Sequence, residues 1–291
     1  MSDTLIATFG GLVAMLFWGA GDWLVARSSR KDGAFEVNAA FQIPGLVIIS
    51  AVALATHQHI QNTHNVLMLC LAGFIFSAAF VLFIKAFAAG STGLVAPAAC
   101  TYPLFTILLT AIFLTLAFSH RQVLAMLVII VGVMMLAYEK RQKSISLHIQ
   151  HKATILALAT AFLWGVGNVI QNTVISKESW EIVLLSIDVS IAFMALLMML
   201  FMAKGGLSQK VARVKANKTA MLAGAIYVLG SFGFYYSSVR VGSVLVPLVV
   251  SSTSPLVTSG LGAVFDHERL TLLKRVGAVV AVAGIVLVNL G

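Results

Sequence analysis

The chain is 291 residues long, 60% of them hydrophobic and 10% charged, with a net charge of +9 and a mean hydropathy of +1.00. A soluble domain carries about 25% charged residues, so this composition excludes a soluble globular protein. The basic residues stand in short clusters between apolar runs without interleaved aromatic residues, which argues against a nucleic-acid partner. The two cysteines lie inside apolar runs, without the spacing of a metal or disulfide framework, and nothing indicates a cofactor.

Ten apolar runs follow one another along the chain. A helix needs about 20 apolar residues to cross a bilayer. The first run lacks the basic start and the cleavage site of a secretory signal, so we expect it to stay as a span. We therefore predict an all-α polytopic membrane protein with ten transmembrane helices, near 5–26, 36–56, 66–88, 93–117, 121–139, 152–175, 181–203, 218–240, 243–266 and 273–290.

Two hexapeptides recur along the sequence. FWGAGD at 17–22 matches LWGVGN at 163–168, with an offset of 146 residues. TYPLFT at 101–106 matches TSPLVT at 253–258, with an offset of 152 residues. Matches that carry Trp-Gly and Pro-Leu in the same order indicate an internal repeat rather than a chance likeness of apolar helices.

The repeat divides the chain into halves at 1–145 and 146–291, each with five predicted spans. With an odd number of spans, the second half must enter the membrane upside down relative to the first. The sequence thus predicts two inverted five-helix repeats, the arrangement of many secondary transporters.

The basic residues are concentrated on one predicted side of the membrane. Short cytoplasmic loops are enriched in Lys and Arg, so we expect the odd-numbered loops in the cytoplasm of a bacterial cell and both termini in the periplasm. Loops one, five, seven and nine hold Arg27, Arg30, Lys31, Lys140, Arg141, Lys143, Lys152, Lys204, Lys210, Arg213, Lys215, Lys218, Arg269, Lys274 and Arg275, whereas the even-numbered loops hold Arg121, Lys177 and Arg240.

The repeated motifs resemble those of the drug/metabolite transporter superfamily, and within it the EamA family of ten-span, two-repeat carriers. The resemblance is carried by the Trp-Gly of spans one and six, the Pro-Leu of spans four and nine, and Glu268-Arg269-Leu270 after span nine. The first half departs from this signature at Leu116-Ala117-Phe118. The resemblance implies export or exchange of small organic metabolites, often coupled to an ion gradient. Many relatives look as if their termini are cytoplasmic, opposite to the charge-derived orientation.

Charged residues inside predicted spans are the first candidates for function. A charge at the bilayer centre costs at least about 2.5–3.5 kcal/mol on insertion scales. Asp22 follows Trp18 by four residues, so both lie on one helical face. The alternative for Asp22 is a place near the cytoplasmic end of span one, close to Arg27, where it is merely solvated or forms a salt bridge. Lys85 closes span three, where it either meets a substrate carboxylate or extends its ammonium group to the interface.

The second half offers the counterparts of these residues. Trp164, Asn168 and Asn172 repeat the same four-residue spacing in span six. Asp188 in span seven corresponds to Gln42 in span two at the offset of 146 residues. For Asp188 a helix-packing hydrogen bond is favoured over substrate contact, because the resemblance implies that spans two and seven are peripheral to the cavity.

Hydroxyl groups near the prolines of spans four and nine complete the candidate substrate site. Tyr102, Ser251 and Ser254 stand beside these prolines, and Tyr235 lies in span eight. A helix broken at proline near the membrane midplane exposes polar groups to a ligand. The alternative is that the Ser and Thr hydroxyls bond only to their own helix.

Together these patterns predict a secondary transporter that works by alternating access around a cavity lined by spans one, three, four, six, eight and nine. An amino acid or similar amphoteric solute is the expected substrate, with Asp22 holding its amine or a coupling proton. The histidines fall in predicted loops or at span ends, and no zinc or phosphate-loop motif is present, so we expect no enzyme. The alternatives are a passive channel or facilitator and a non-transport membrane subunit, and a monomer and a dimer are both open.

Overall fold

The computed structural model describes residues 2–114, 120–137, 147–266 and 271–289, and this part of the chain is built from α-helices, with no strand in it. The helices are α1 (Asp3–Ser29), α2 (Ala34–Ala55), α3 (Thr63–Ala89), α4 (Thr92–Ala99), α5 (Tyr102–Phe113), α6 (His120–Ala137), α7 (Leu147–Asn172), α8 (Trp180–Met202), α9 (Leu207–Ala216), α10 (Lys218–Val241), α11 (Leu245–Ser251), α12 (Pro255–Phe265) and α13 (Leu272–Asn289).

The predicted multi-span helical protein is confirmed, and eight of its ten spans are matched by segments long and apolar enough to cross a membrane within the described ranges. These segments are α1, α2, α3, α4 with α5, the part of α7 from His151, α8, α10, and α11 with α12. The fifth and tenth predicted spans correspond to shorter apolar stretches, Val123–Met135 and Arg275–Gly284. The loop predicted after span seven contains the short helix α9.

Two of the apolar segments are broken in the middle. α4 ends at Ala99 before α5 begins at Tyr102, and α11 ends at Ser251 before α12 begins at Pro255. Pro103 and Pro255 each stand in the first turn of the second helix. Proline fits there because its missing N–H would be unpaired anyway, whereas its ring disrupts a continuous helix. The helix break considered beside each proline is therefore present in both halves.

Helices from the two halves pack against each other. α1 lies along α10 and α3 lies along α7, while α2 packs against α8 and α10, and α3 also packs against α8. In the predicted repeat α1 corresponds to α7 and α3 to α10, so the α1–α10 and α3–α7 contacts are equivalent. The halves also meet where α6 packs on α13, α5 on α7 and α11 on α1, so most of the helices contribute to the surface between the halves.

At one end of the bundle, the loop between α1 and α2 is tied to the start of α10. The Asn217 side chain donates to the Asp32 carboxylate, with Nδ2 and Oδ2 2.9 Å apart. Its Oδ1 accepts from the Ser28 hydroxyl at 2.8 Å and from the backbone N–H of Ala220 at 3.0 Å. Asn217 therefore caps α10 and links it to the other half.

α2 runs from the end just described to the opposite end of the bundle. There the loop between α7 and α8 is tied to the start of α3. The Glu178 carboxylate accepts from the backbone N–H groups of Gln61 at 2.9 Å and Asn62 at 2.8 Å. It also accepts from the Asn65 side chain at 3.2 Å. An acid and an asparagine thus join the two halves at both ends of the bundle.

Candidate functional site

A cavity lies where the two halves meet. The space open to the centre of a water-sized sphere is about 120 Å³, and one water needs about 10–15 Å³ by that measure, so the cavity has room for a small organic solute. The lining residues are Trp18, Asp22, Phe41, Gln42, Phe76, Phe80, Cys100, Tyr102, Trp164, Asn168, Ile187, Asp188, Ile191, Tyr227, Ser231, Phe234, Tyr235, Leu248 and Ser254.

Aromatic rings from both halves form much of the cavity wall. Trp18 of α1 stacks on Tyr227 of α10, with ring centroids 5.3 Å apart and an interplanar angle of 15°. Its Nε1 donates to the Ser231 hydroxyl at 3.3 Å, which orients the indole. Trp164 of α7 in the second half packs edge-on against Tyr102 of α5 in the first half, with ring centroids 5.6 Å apart. The two tryptophans of the repeated hexapeptide therefore occupy comparable settings around one cavity.

Asp22 is the buried acid of this wall. The residue is 3% exposed, and its Oδ1 is buried without a hydrogen-bond partner in the described part of the chain. Arg27 does not pair with it but approaches Asp266 at 3.5 Å, and the Trp23 indole donates to the same Asp266 carboxylate at 2.6 Å. The alternative of an Asp22–Arg27 ion pair at the membrane edge is thus wrong, because Asp22 lies on the cavity side of α1.

The two helix breaks meet beside the cavity. The Tyr102 hydroxyl lies 3.1 Å from the Ser251 hydroxyl and donates to the Leu248 carbonyl at 3.4 Å. Cys100 Sγ lies 3.5 Å from the Ser254 hydroxyl. The unwound residues of one half are therefore held against those of the other, where a relative movement of the halves would change the cavity.

Seven of the ten predicted site residues line the cavity, namely Trp18, Asp22, Tyr102, Trp164, Asn168, Tyr235 and Ser254. Ser251 stands behind the lining and contacts Tyr102. Asn172 lies at the end of α7, where its Oδ1 accepts from the backbone N–H of Val244 at 3.0 Å and ties α7 to the start of α11. Lys85 is partly buried, with its ammonium group 4.8 Å from the centre of the Phe35 ring. Their roles in transport stay predictions.

The cavity also contains residues from the two helices that we expected to be peripheral. Phe41 and Gln42 of α2, and Ile187, Asp188 and Ile191 of α8, belong to its lining. The expectation that spans two and seven lie outside the cavity is therefore wrong, because α2 packs between α8 and α10, and α8 packs on α3. The sequence signal that could have placed Gln42 and Asp188 in the cavity is that an amide and an acid stand at equivalent positions of the two halves, 146 residues apart.

The signature at 268–270, its counterpart at 116–118 and the basic cluster at 140–143 lie outside the described residues. Within the described ranges, no group of three or more His, Cys, Asp and Glu side chains is arranged to hold a metal ion.

The chemistry of the lining suits a cation better than an anion. Asp22 and Asp188 supply carboxylates, and the described lining residues include no Lys or Arg. Ring faces attract cations through their quadrupoles, and the hydroxyl and amide groups of the lining add hydrogen bonds. The lining thus combines carboxylates, aromatic rings and hydrogen-bonding groups, with no basic side chain among its described residues.

Comparisons with known proteins agree with this architecture. A crystal structure of another protein superposes with a TM-score of 0.70, covering 98% of this chain and 96% of that chain at 18% identity, which shows a shared fold. An uncharacterized protein of Methanocaldococcus jannaschii is 29% identical over 142 residues, 47% of this chain and 96% of that relative. The EamA-like transporter family matches residues 5–138 and again residues 151–290. The chain therefore belongs to the EamA-like transporter family, whose repeat it contains twice.

Proposed function

We propose that this protein is a secondary transporter that moves a small amine-bearing metabolite across the membrane by alternating access. Asp22 would bind the protonated amine or a coupling proton. Membership of the family supplies the class, a membrane transporter of small solutes. The observation that carries the rest is the buried Asp22 carboxylate, whose Oδ1 has no partner among the described residues, in the wall of an aromatic cavity.

The energetics of Asp22 favour a binding role. A charge within the bilayer costs at least about 2.5–3.5 kcal/mol, and a buried charge needs a partner to offset its lost hydration. No described basic side chain lies in the cavity lining with Asp22. A solute amine or a proton supplies the missing partner, so the carboxylate is better satisfied when the cavity is occupied.

The substrate class follows from the rest of the lining. The predicted amphoteric solute requires a partner for its carboxylate, and Lys85 does not line the cavity. The lining instead contains the aromatic residues Trp18, Tyr102 and Tyr227, and aromatic rings favour an ammonium group. We therefore take the amine as the recognised group and keep amino acids as one subset of the candidates.

Alternating access is supported by the packing of the halves. The equivalent α1–α10 and α3–α7 contacts are what two inverted repeats require, with α6 and α13 as the fifth and tenth spans. The breaks between α4 and α5 and between α11 and α12 meet at the cavity. Broken helices at the interface of inverted repeats are a common feature of secondary transporter sites. Rocking of 1–145 against 146–291 would open the cavity to each side in turn.

The first experiment is a transport assay with the Asp22→Asn variant. A thermal-shift screen of amines and amino acids on the purified protein identifies a ligand, which is then used in proteoliposomes. Counterflow and uptake driven by a proton gradient are measured side by side. Loss of the driven mode alone assigns Asp22 to the proton, and loss of both modes assigns it to the substrate.

The matched control is Asp3→Asn, the same chemical change on the exposed first turn of α1, which should transport at the wild-type rate. Wild-type rates in both modes for Asp22→Asn would contradict its assignment. Ligand flux without counterflow in the wild type would favour a channel, and no flux at all a non-transport subunit.

We also propose that the end of the bundle with the α1–α2 loop faces the cytoplasm and that both termini face the periplasm. Arg27, Arg30 and Lys31 stand at this end, together with the basic helix α9. A reporter enzyme that is active only in the periplasm, fused after Gly291, should be active in bacterial cells. An inactive fusion of normal abundance would reverse the orientation without affecting the repeat.

A further inference from the structure

The cavity contains a second carboxylate that the proposed function does not use. Asp188 of α8 is part of the lining, and no hydrogen bond or ion pair with another described residue holds it. We propose that Asp188 is a second cation-binding group and that the solute carries two cationic groups, as a diamine does. This inference rests on the proposed function and specifies its substrate.

The repeat provides the first argument for two acidic groups. Asp22 corresponds to Asn168 and Gln42 corresponds to Asp188, each pair 146 residues apart. All four side chains line the same cavity. Each half thus contributes one acid and one amide, but the acid stands on α1 in the first half and on α8 in the second. This exchange places the two carboxylates on different helices of one cavity.

The two acids lie at a similar level of the bundle. A β-carbon on Gly21, the neighbour of Asp22, would lie 2.9 Å from the Tyr227 ring. A β-carbon on Gly45 would lie 3.7 Å from the Asp188 carboxylate and 3.9 Å from the side chain of Val228. Tyr227 and Val228 are consecutive residues of α10, so the part of α1 next to Asp22 and the Asp188 carboxylate both lie beside the same turn of that helix.

Charge balance gives the third argument. A solute with one ammonium group compensates one carboxylate and leaves the other charged in an apolar enclosure, which is costly. A solute with two ammonium groups compensates both. Its hydrocarbon chain would lie among ring faces such as those of Phe41 and Phe80, whose centroids are 4.6 Å apart in the lining.

The test compares n-butylamine with putrescine, which has the same carbon chain and a second amine. Binding of each to the purified wild-type protein is measured by titration calorimetry. Since a hydrogen bond to a charged group is a strong one, we expect putrescine to bind about ten- to a hundredfold more tightly than n-butylamine. Asp188→Asn should abolish this preference, and the matched surface variant Asp3→Asn should keep it.

The outcomes separate the two proposals. In one outcome the wild type binds n-butylamine and Asp22→Asn does not, which supports the proposed function. If the wild type then shows no preference for putrescine over n-butylamine, or if Asp188→Asn retains that preference, the second cation site is overturned and the proposed function stands. If neither amine binds the wild type, amine recognition by the cavity fails, and the inference fails with it.

A second variant covers the case in which Asp188→Asn does not fold. Asp188→Glu keeps the charge and moves it by one methylene group towards the cavity. It should shift the preference from putrescine to the shorter diaminopropane by about tenfold or more. An unchanged order of diamine affinities would overturn the role of Asp188.

Discussion

At each end of the bundle an acid and an asparagine join the two halves. The asparagine makes most of the hydrogen bonds at one end, and the acid makes them at the other. Asp32 and Glu178 are 146 residues apart, and Asn65 and Asn217 are 152 residues apart, the offsets of the repeated hexapeptides. Asn217 bonds to three groups at one end, whereas Glu178 bonds to three groups at the other. The repeat therefore maintains the contact between the halves while its details differ.

The difference follows from the reach of the acidic side chain. Glu178 has one methylene group more than Asp32 and accepts from the backbone N–H groups that precede α3, where it is 3% exposed. Asp32 is partly exposed and accepts from the amide of Asn217. Removal of a buried acceptor such as Glu178 leaves its donors unpaired at a cost, whereas water can replace an acceptor that is partly exposed. We infer that the Glu178 end depends on its acid and the Asp32 end on its asparagine.

The largest effect is expected for Glu178→Ala. This change removes the acceptor from two backbone N–H groups and from the Asn65 amide, which should cost about 2–4 kcal/mol. The measurement is the midpoint of thermal unfolding of the purified protein in detergent. Glu178→Gln retains an acceptor oxygen and should lose less. An unchanged midpoint for Glu178→Ala would show that this end is not held by its acid.

A smaller effect is expected for Asn217→Ala. The side chain caps α10 through Ala220 and also bonds to Ser28 and Asp32. Loss of an N-cap costs about 1 kcal/mol, and the lost bonds to Ser28 and Asp32 should bring the total to about 1–2 kcal/mol. Asn217→Ser keeps a capping oxygen and should recover about half of the loss in the same unfolding assay. Equal losses for Ala and Ser would mean that capping contributes nothing here.

The sequence predicted the helices, the breaks and much of the cavity lining for identifiable reasons. Long apolar runs define spans, and Pro103 and Pro255 mark the breaks because proline restricts where a helix can continue. Trp18 and Asp22 were found because a tryptophan and an acid are unusual in an apolar run, and because the surrounding motif recurs in the second half with Trp164 and Asn168 at the equivalent positions.

Other parts of the cavity have no such signal. Phe41, Phe76 and Phe80 resemble lipid-facing phenylalanines in any span, and only helix packing turns them towards the cavity. A packing role was favoured for Asp188 because the resemblance implied that span seven is peripheral, and a single charged residue does not reveal which side of its helix faces the cavity. The acid–asparagine pairs were missed because each joins a loop of one half to a helix start of the other, a relation that local patterns do not contain.

The smallest effect is expected for Asp32→Ala, and it provides the sharpest test of the comparison. Asp32 is partly exposed, so water can replace it as the acceptor for Asn217, and a solvent-accessible polar contact of this kind contributes only about 0–1 kcal/mol. The double variant Asp32→Ala with Asn217→Ala should lose little more than Asn217→Ala alone. The equivalent cycle with Glu178→Ala and Asn65→Ala should show a larger coupling, about 1 kcal/mol or more, because these partners are buried. If Asp32→Ala lowers the unfolding midpoint as much as Glu178→Ala does, the two ends are energetically equivalent and the longer reach of Glu178 has no consequence for stability.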